Sequence, residues 1–254
     1  MGTTMRTSKG RHLPIGVGIL VVAAVVLTVM WVHAPVADGV TRSFRLSENS
    51  VALTFDDGPD PVYTPAVLDI LRAHDAHATF FVVGASADLY PELIARMIAE
   101  GHEIAFHTQT HPHVDRLDEH QVQREIDAGL AVLNACGVTP IWYRPPRGRL
   151  TEVQKVLAAE RGMKVALWTR CMERSQFANA EELAATLAEE TRRGDIVLAH
   201  DGLADRSMTV KALPAYLQAL RREGIRVVTL SRLEEGAPLR PVGVARAVSG
   251  HAAE

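Results

Sequence analysis

Asp56 and Asp57 stand side by side at the end of an apolar run, Val51-Ala52-Leu53-Thr54-Phe55, and Gly58-Pro59 turns the chain directly after them. A Gly-Pro step behind a β-prone run marks the end of a strand. Neighbouring side chains on a strand end point to opposite sides, so the two carboxylates cannot share one job. One can hold a metal while the other takes a proton from the metal's water. Ordinary turn chemistry is the competing reading of Asp-Asp-Gly-Pro. His107 and His111 weigh against it: they lie four positions apart, behind the strand-like run Glu103-Ile104-Ala105-Phe106 and ahead of Pro112. That context favours a strand-end loop or a single turn over a long helix. Two imidazoles and one carboxylate give a metal three N/O ligands and leave a position for water, which is the pattern of catalytic sites; structural zinc sites usually close with four ligands, often Cys. Here the competing reading is a His-rich surface loop, since His113 and His120 are close by.

Three more segments follow in chain order. Arg144-Pro145-Pro146-Arg147-Gly148 comes after Ile141-Trp142-Tyr143, Trp168 and a polar stretch come after Lys164-Val165-Ala166-Leu167, and Asp195-Ile196-Val197-Leu198-Ala199 runs into His200-Asp201-Gly202. Each chemical residue falls at or just past the end of a strand pattern, the edge on which α/β folds build their sites. Taken singly, Leu198 reads as core, Arg144 as a surface cation and His200 as a satisfied strand-end histidine; their order and spacing lift them above that. His74, His77, His102, His113 and His120 read as helix, loop or surface residues.

In this order the motifs resemble the NodB-homology polysaccharide deacetylases (carbohydrate esterase family 4), from about Ser50 to about Arg232. Thr54 to Pro59 matches the family's first motif. His107 to His111 matches its His-(Ser/Thr)-x-x-His, and Leu198-Ala199-His200 its Leu-x-His. Arg144 to Gly148 matches Arg-Pro-Pro-x-Gly, with Arg147 where the family usually has an aromatic residue. The fourth motif departs from the pattern: Cys171 and Arg174 fall where its two Asp would be, and Ser175 where its Trp would be.

The resemblance implies an α/β fold, an incomplete seven-stranded (β/α) barrel. It implies metal-dependent hydrolysis of N-acetyl groups from an N-acetylated amino-sugar glycan, peptidoglycan or another N-acetylglucosamine polymer. Asp57, His107 and His111 would be the ligands of one divalent metal; by donor type zinc comes first, and cobalt or nickel also suit. Asp56 would be the general base, Arg144 its orienting partner and His200 the general acid. Leu198 would line the acetyl pocket, and the N–H of Arg147 would serve as an oxyanion donor. Arg174 in place of an Asp would lower the His200 pKa; Glu173 is the nearest carboxylate that could substitute, with Asp201 and Asp205 behind it. Two rivals stand beside this reading, a deformylase or deacetylase of a lipid-linked sugar and a non-catalytic glycan-binding relative. The altered fourth motif suits the second rival, whereas a general base beside a metal opposes it.

These residues need a frame, and the pattern from residue 50 onward supplies one. Strand-like runs cover 51–55, 78–83, 103–106, 141–144, 164–168, 195–199 and 226–230, with helix patterns at 65–74, 91–100, 118–135, 151–161, 180–193 and 210–223 between them. Pro65 and Pro91 suit first-turn positions. Thr151 with Gln154 and Asn179 with Glu182 read as helix N-termini, and Gly101, Gly162, Gly194 and Gly224 as helix ends. Seven β-α repeats predict a parallel barrel.

A formal net charge of −3, scattered Lys and Arg, and only 5% aromatic residues give no sign of a nucleic-acid binder and leave no stacking platform, so no nucleic acid is expected. No Gly-rich phosphate loop appears, so no nucleotide is expected. Cys136 and Cys171 lack metal-site spacing and are read either as a pair or as free thiols. The N-terminus is a separate unit. Residues 1–12 carry Arg6, Lys9 and Arg11, and residues 13–32 are uncharged. Twenty helical residues span about 30 Å, one bilayer core, whereas a signal-peptide apolar region runs to about 7–15 residues. The small-residue pattern near Ala34 and Pro35 makes a poor cleavage site. The expectation is a single-pass cell-membrane anchor with its basic end cytoplasmic and the catalytic domain extracytoplasmic, secretion after cleavage being the alternative. Residues 33–49 would form a stalk, 50–233 the domain and 234–254 a loose tail.

Overall fold

The computed structural model describes Gly2 and residues 39–44, 48–173 and 176–236. The expected anchor at 13–32 and most of the stalk and tail lie outside the described residues, as do Arg174 and Ser175. Among the described residues no helix is long and apolar enough to cross a membrane.

The strands are β1 (Val40–Thr41), β2 (Ser50–Asp56), β3 (Thr79–Val82), β4 (Glu103–Phe106), β5 (Trp142–Tyr143), β6 (Lys164–Ala166), β7 (Arg170–Cys171), β8 (Ile196–His200) and β9 (Arg226–Val228). They pair in parallel in the order β1-β6-β5-β4-β3-β2-β8-β7, and β9 joins the first half of β2. The seven strand-like runs read from sequence are all present, and β1 and β7 are added to them. β1 belongs to the segment read as a stalk, and Phe44 N donates to Gly194 O at 2.9 Å. Gly194 has φ +83 and Phe44 O lies where a Cβ would be, so only glycine fits. Residues 167–169 separate β6 from β7. Thr169 N donates to Ile196 O at 2.9 Å, and β7 pairs with β8, which curls the sheet into the incomplete barrel.

Strand alternation sorts the core into two clusters. Leu53, Phe55, Phe80, Val82, Ile104, Phe106, Val165, Val197 and Ala199 face outward against the helices. Ala52, Phe81, Ala105, Trp142, Ala166 and Ile196 fill the barrel interior. On that inner parity Thr54, Asp56, Arg144, Leu198 and His200 follow toward the C-terminal ends of their strands. The interior is thus apolar at one end and polar at the other.

The α-helices among the described residues are α1 (Tyr63–Ala73), α2 (Gly84–Leu89), α3 (Pro91–Ala99), α4 (Glu119–Ala135), α5 (Glu152–Glu160), α6 (Ala180–Glu190), α7 (Ser207–Arg222) and α8 (Leu230–Glu235). Thr151 and Asn179 cap α5 and α6 by accepting from Gln154 N and Glu182 N, as their spacing predicts. Helices α2 and α8, six residues each, escape a reading by periodicity because so short a run completes fewer than two turns. Leu230 and Leu233 of α8 close the apolar end of the barrel. Glu103 fixes α8 there: it accepts from Thr79 Oγ1 (2.7 Å), from Ser231 N (3.1 Å) and from Ser231 Oγ, which in turn accepts from Trp142 Nε1 at 2.9 Å.

His102 lies in the connection between α3 and β4, consistent with the loop reading, but it is buried. It is 7% exposed, and its Nδ1 accepts from Ala78 N at 3.2 Å, so the neutral ring carries its proton on Nε2. Burial holds its pKa down at about 4. The unfolded residue takes a proton near 6.5, so this term is absent above that pH and destabilises progressively as the pH falls toward the folded value. Denaturant unfolding is expected to show stability falling from about pH 6.5 toward pH 4, with a shallower fall in His102→Asn. An equally steep fall in the variant would show that other groups carry the slope.

Candidate active site

The residues singled out by their chemistry gather at the C-terminal ends of the strands. Asp56 ends β2 on the inner face. Strand alternation alone would send Asp57 outward, but Asp57 has φ +76. This left-handed step, which Asp tolerates better than most residues, brings both carboxylates round to His107. Asp56 Oδ2 lies 3.7 Å and Asp57 Oδ1 3.6 Å from His107 Nε2.

Arg144, just past β5, is fully buried. Its NH1 donates to Asp56 Oδ1 (2.6 Å) and Thr54 Oγ1 (2.9 Å), its Nε to Ala166 O (3.1 Å) and its NH2 to Leu167 O (3.2 Å). The guanidinium also stacks 3.9 Å over the Phe81 ring. Burial pushes the Asp56 carboxyl above its ordinary pKa despite the opposing charge of Arg144.

His107 continues the inner face of β4. Its Nδ1 donates to Arg144 O at 2.7 Å, which leaves the Nε2 lone pair free on the Asp57 side. Burial, against the pull of Asp57, holds its pKa at about 3, so the ring is neutral. The chain then forms a loop, as expected, with Thr108 at φ +71 and His111 at φ +55. Glu125 of α4 holds this loop by accepting from Gln109 N (3.1 Å), Thr110 N (2.9 Å) and Thr110 Oγ1 (2.8 Å). His111 Nε2 ends 3.2 Å from Asp57 Oδ1.

Asp57, His107 and His111 present donor atoms within 4.8 Å of one another. Asp57 Oδ1 is buried and has no hydrogen-bond partner, while Asp57 Oδ2 accepts from Arg206 NH2 at 2.8 Å. Arg206 is itself anchored by Nε to Gly202 O at 2.7 Å. One oxygen is held by a cation, the other is left bare, and two neutral imidazoles face it. This donor set fits a divalent cation, and the outer hydrogen bonds orient the donors.

On the other side of Asp56, His200 ends β8. Its Nδ1 is 2.9 Å from Glu173 Oε2. Glu173 Oε1 also accepts from His200 N (2.9 Å) and from Thr209 Oγ1 of α7 (2.6 Å). Burial alone would lower the His200 pKa, but the hydrogen bond and charge of Glu173 outweigh it and the pKa is raised. Glu173 is therefore the carboxylate beside His200. Asp201 accepts instead from Thr64 Oγ1 at 2.5 Å, and Asp205 from Tyr63 OH at 2.9 Å. Burial, with the charges of Asp57 and Asp56, pushes the Asp201 carboxyl up to about 7 against the Thr64 hydrogen bond.

Leu198 is buried two residues before His200 on the same face of β8. Arg147 is exposed at φ +60. Gly148 N and Arg149 N close the turn onto Pro145 O (3.0 Å) and Pro146 O (3.1 Å), and the Arg147 N–H takes no part in it. Gly148, at φ +67, lets the Trp168 ring approach to where a side chain would begin, which accounts for the glycine of this motif. Cys136 and Cys171 form no disulfide. Three functional residues escaped the sequence reading: Arg206, Thr209 and Glu125. Each is an ordinary helix or loop residue with no local signal, although Arg206 does follow His200 by only six positions.

A curled parallel barrel with an Asp-His-His centre at the C-terminal edge of its strands defines a metal-dependent hydrolase of the NodB type. The family model for polysaccharide deacetylases matches residues 45–166. A peptidoglycan-N-acetylglucosamine deacetylase of Bacillus cereus is 38% identical over 196 residues, covering 76% of this chain and 92% of that protein. A chitooligosaccharide deacetylase of Bradyrhizobium sp. is 38% identical over 197 residues, covering 72% and 90%. The crystal structure of the Bc1960 peptidoglycan N-acetylglucosamine deacetylase superposes with a TM-score of 0.74 at 30% identity, covering 80% of this chain and 95% of that one. The chain belongs to the polysaccharide deacetylase family, hydrolases that remove N-acetyl groups from glycans.

Purified protein titrated with zinc is expected to bind about one ion per chain, and His107→Ala or His111→Ala to lose it. Arg206→Ala is expected to weaken zinc by about 10–100-fold, the usual worth of a residue that orients a ligand. Unchanged affinity in Arg206→Ala would remove Arg206 from the site.

Proposed function

We propose that this chain is a membrane-anchored N-deacetylase acting outside the cytoplasm on an N-acetylated amino-sugar glycan, peptidoglycan or another N-acetylglucosamine polymer. The observation that carries this reading is that two proton-handling groups, each tied to its own partner, flank a single three-donor centre. Asp57, His107 and His111 would hold the divalent ion, zinc first by donor type, with cobalt or nickel as alternatives. Once bound, such an ion lowers the pKa of its water to about 7 and polarises the acetyl carbonyl.

The protein's own residues do the rest. Asp56 takes the proton of the attacking water on Oδ2, since Arg144 occupies Oδ1. Its raised pKa makes it a stronger base, and the bond to Arg144 fixes its direction. The N–H of Arg147, left out of its turn, is available to the developing oxyanion; a donor in that role is worth about 10²–10³ in kcat. Leu198 lines the pocket for the acetyl methyl. His200, bonded through Nδ1 to Glu173, gives the proton on Nε2 to the leaving amine as the C–N bond breaks, releasing acetate and the free amino sugar. The Glu173–His200 pair is what separates this reading from a non-catalytic glycan binder, for which a carboxylate that keeps a histidine protonated has no use.

The glycan class rests on the relatives named above and on the N-terminal segment. Residues 13–32 would span the bilayer, with residues 1–12 cytoplasmic, so that the domain meets the cell wall.

Acetate release from N-acetylated glycans by the zinc-loaded full-length protein tests the reading directly. Asp56→Asn is expected to keep its metal and lose about 10²–10⁴ in turnover; release of metal by that variant would mean that the roles of Asp56 and Asp57 are reversed. His200 must be protonated to act, so kcat/KM falls above its raised pKa. Glu173→Ala is expected to lower that pKa and move the alkaline limb to lower pH, and an unmoved limb would reject Glu173 as its partner.

A further inference from the structure

The carboxylates of the centre are paired, and one cation beside them is not. Asp56 is paired with Arg144 and Asp57 with Arg206. Glu173 is paired with His200, and Asp115 with Arg149 at 2.8 Å. Glu125 is taken up by the histidine loop. Arg147 has no carboxylate partner among the described residues. Its NH1 makes one long contact, 3.4 Å to Pro112 O. Pro112 directly follows His111, so this exposed guanidinium lies one residue from a donor of the metal centre. His113 and Arg116 are exposed on the same loop. Asp115 lies on that loop too, and Arg149 holds it. Because β4 and β5 carry this wall while β8 carries His200, it stands across the centre from the proposed general acid.

An exposed surface arginine is common. One at the lip of an active site, with the carboxylates of the centre already paired, is poised for an anion that arrives from outside. A guanidinium binds carboxylates with two parallel hydrogen bonds and keeps its charge at any physiological pH. We propose that the Arg147 side chain reads a carboxylate on the substrate close to the acetylated sugar, so that this enzyme favours glycan strands with acidic substituents over neutral N-acetylglucosamine oligomers. The carboxylate can belong to a lactyl group on the adjoining sugar or to a peptide attached there. This inference rests on the deacetylase reading above and deepens it. The side chain is a specificity-determining group, distinct from the backbone N–H of the same residue.

The test compares kcat/KM of the zinc-loaded full-length protein on three substrates. These are neutral N-acetylglucosamine oligomers, peptidoglycan strands stripped of peptide so that the lactyl carboxylate is free, and strands with their peptides intact. The ratio of acidic to neutral kcat/KM is expected to fall about tenfold in Arg147→Gln, the usual worth of a charge-assisted hydrogen bond, mainly through KM. Arg147→Lys should recover part of it. Added salt should erode the wild-type ratio and leave that of Arg147→Gln nearly flat. Whichever acidic strand loses more identifies the source of the carboxylate. A ratio that is the same in wild type and Arg147→Gln overturns the proposal, as does a wild-type ratio at or below one. Calorimetric binding of the same glycans repeats the comparison without turnover. Acid-selective binding that depends on Arg147 in a protein releasing no acetate would overturn the deacetylase reading and leave the role of Arg147 standing.

Discussion

A buried guanidinium organises this molecule. Arg144 lies inside the barrel with no exposed surface, and a charge so placed costs several kcal/mol unless it is paired and its hydrogens are satisfied. Its acceptors come from two parts of the chain: the Asp56 carboxylate and Thr54 hydroxyl of β2, and the carbonyls of Ala166 and Leu167 at the end of β6. That requirement explains a threonine between the buried apolar residues Leu53 and Phe55 of β2. It also gives the break between β6 and β7 a use, because Leu167 O faces Arg144 instead of a neighbouring strand. The backbone of the same residue accepts from His107 Nδ1. One residue therefore sets the direction of Asp56 and the tautomer of His107, tying the proposed base and the proposed metal ligand to a single rigid point.

Around that point the loops are held by polar contacts that leave the reactive atoms bare. Arg206 takes one oxygen of Asp57, Glu125 takes the backbone of the histidine loop, and Thr64 takes Asp201 beneath the Gly58-Pro59 turn. Gly58 and Gly202 permit this crowding. A Cβ on Gly58 would run into the Asp201 carboxylate, and one on Gly202 into the Asp57 carbonyl. Donors fixed in advance need no reorganisation when charge develops, which is where preorganised sites gain most of their effect.

The altered fourth motif shows how the same electrostatic task can be met from another position. The family pattern has an Asp at position 174, and Glu173 lies one residue earlier. Its two oxygens bind His200 Nδ1 and His200 N, and Thr209 Oγ1 adds a third donor. The carboxylate is thereby kept ionised, below its ordinary pKa, although burial works against it.

Local pattern was enough to read the seven parallel strands, the helix caps at Thr151 and Asn179, and the placing of Asp56, Asp57, His107, His111, Arg144 and His200 on one edge of a sheet. Those features depend on alternation, turn chemistry and order along the chain, all of which are written in neighbouring residues. The tertiary structure decided the rest. It turned Asp57 back onto the face of Asp56 through one left-handed residue. It chose Glu173 over Asp201 and Asp205, and it brought Arg206 to Asp57 across 149 positions. It also left Arg147 without a carboxylate partner among the described residues. Each of these outcomes depends on which side chains meet after the sheet has curled. Distance through space between residues far apart in the chain has no signature in residue spacing, so only the folded chain could determine them.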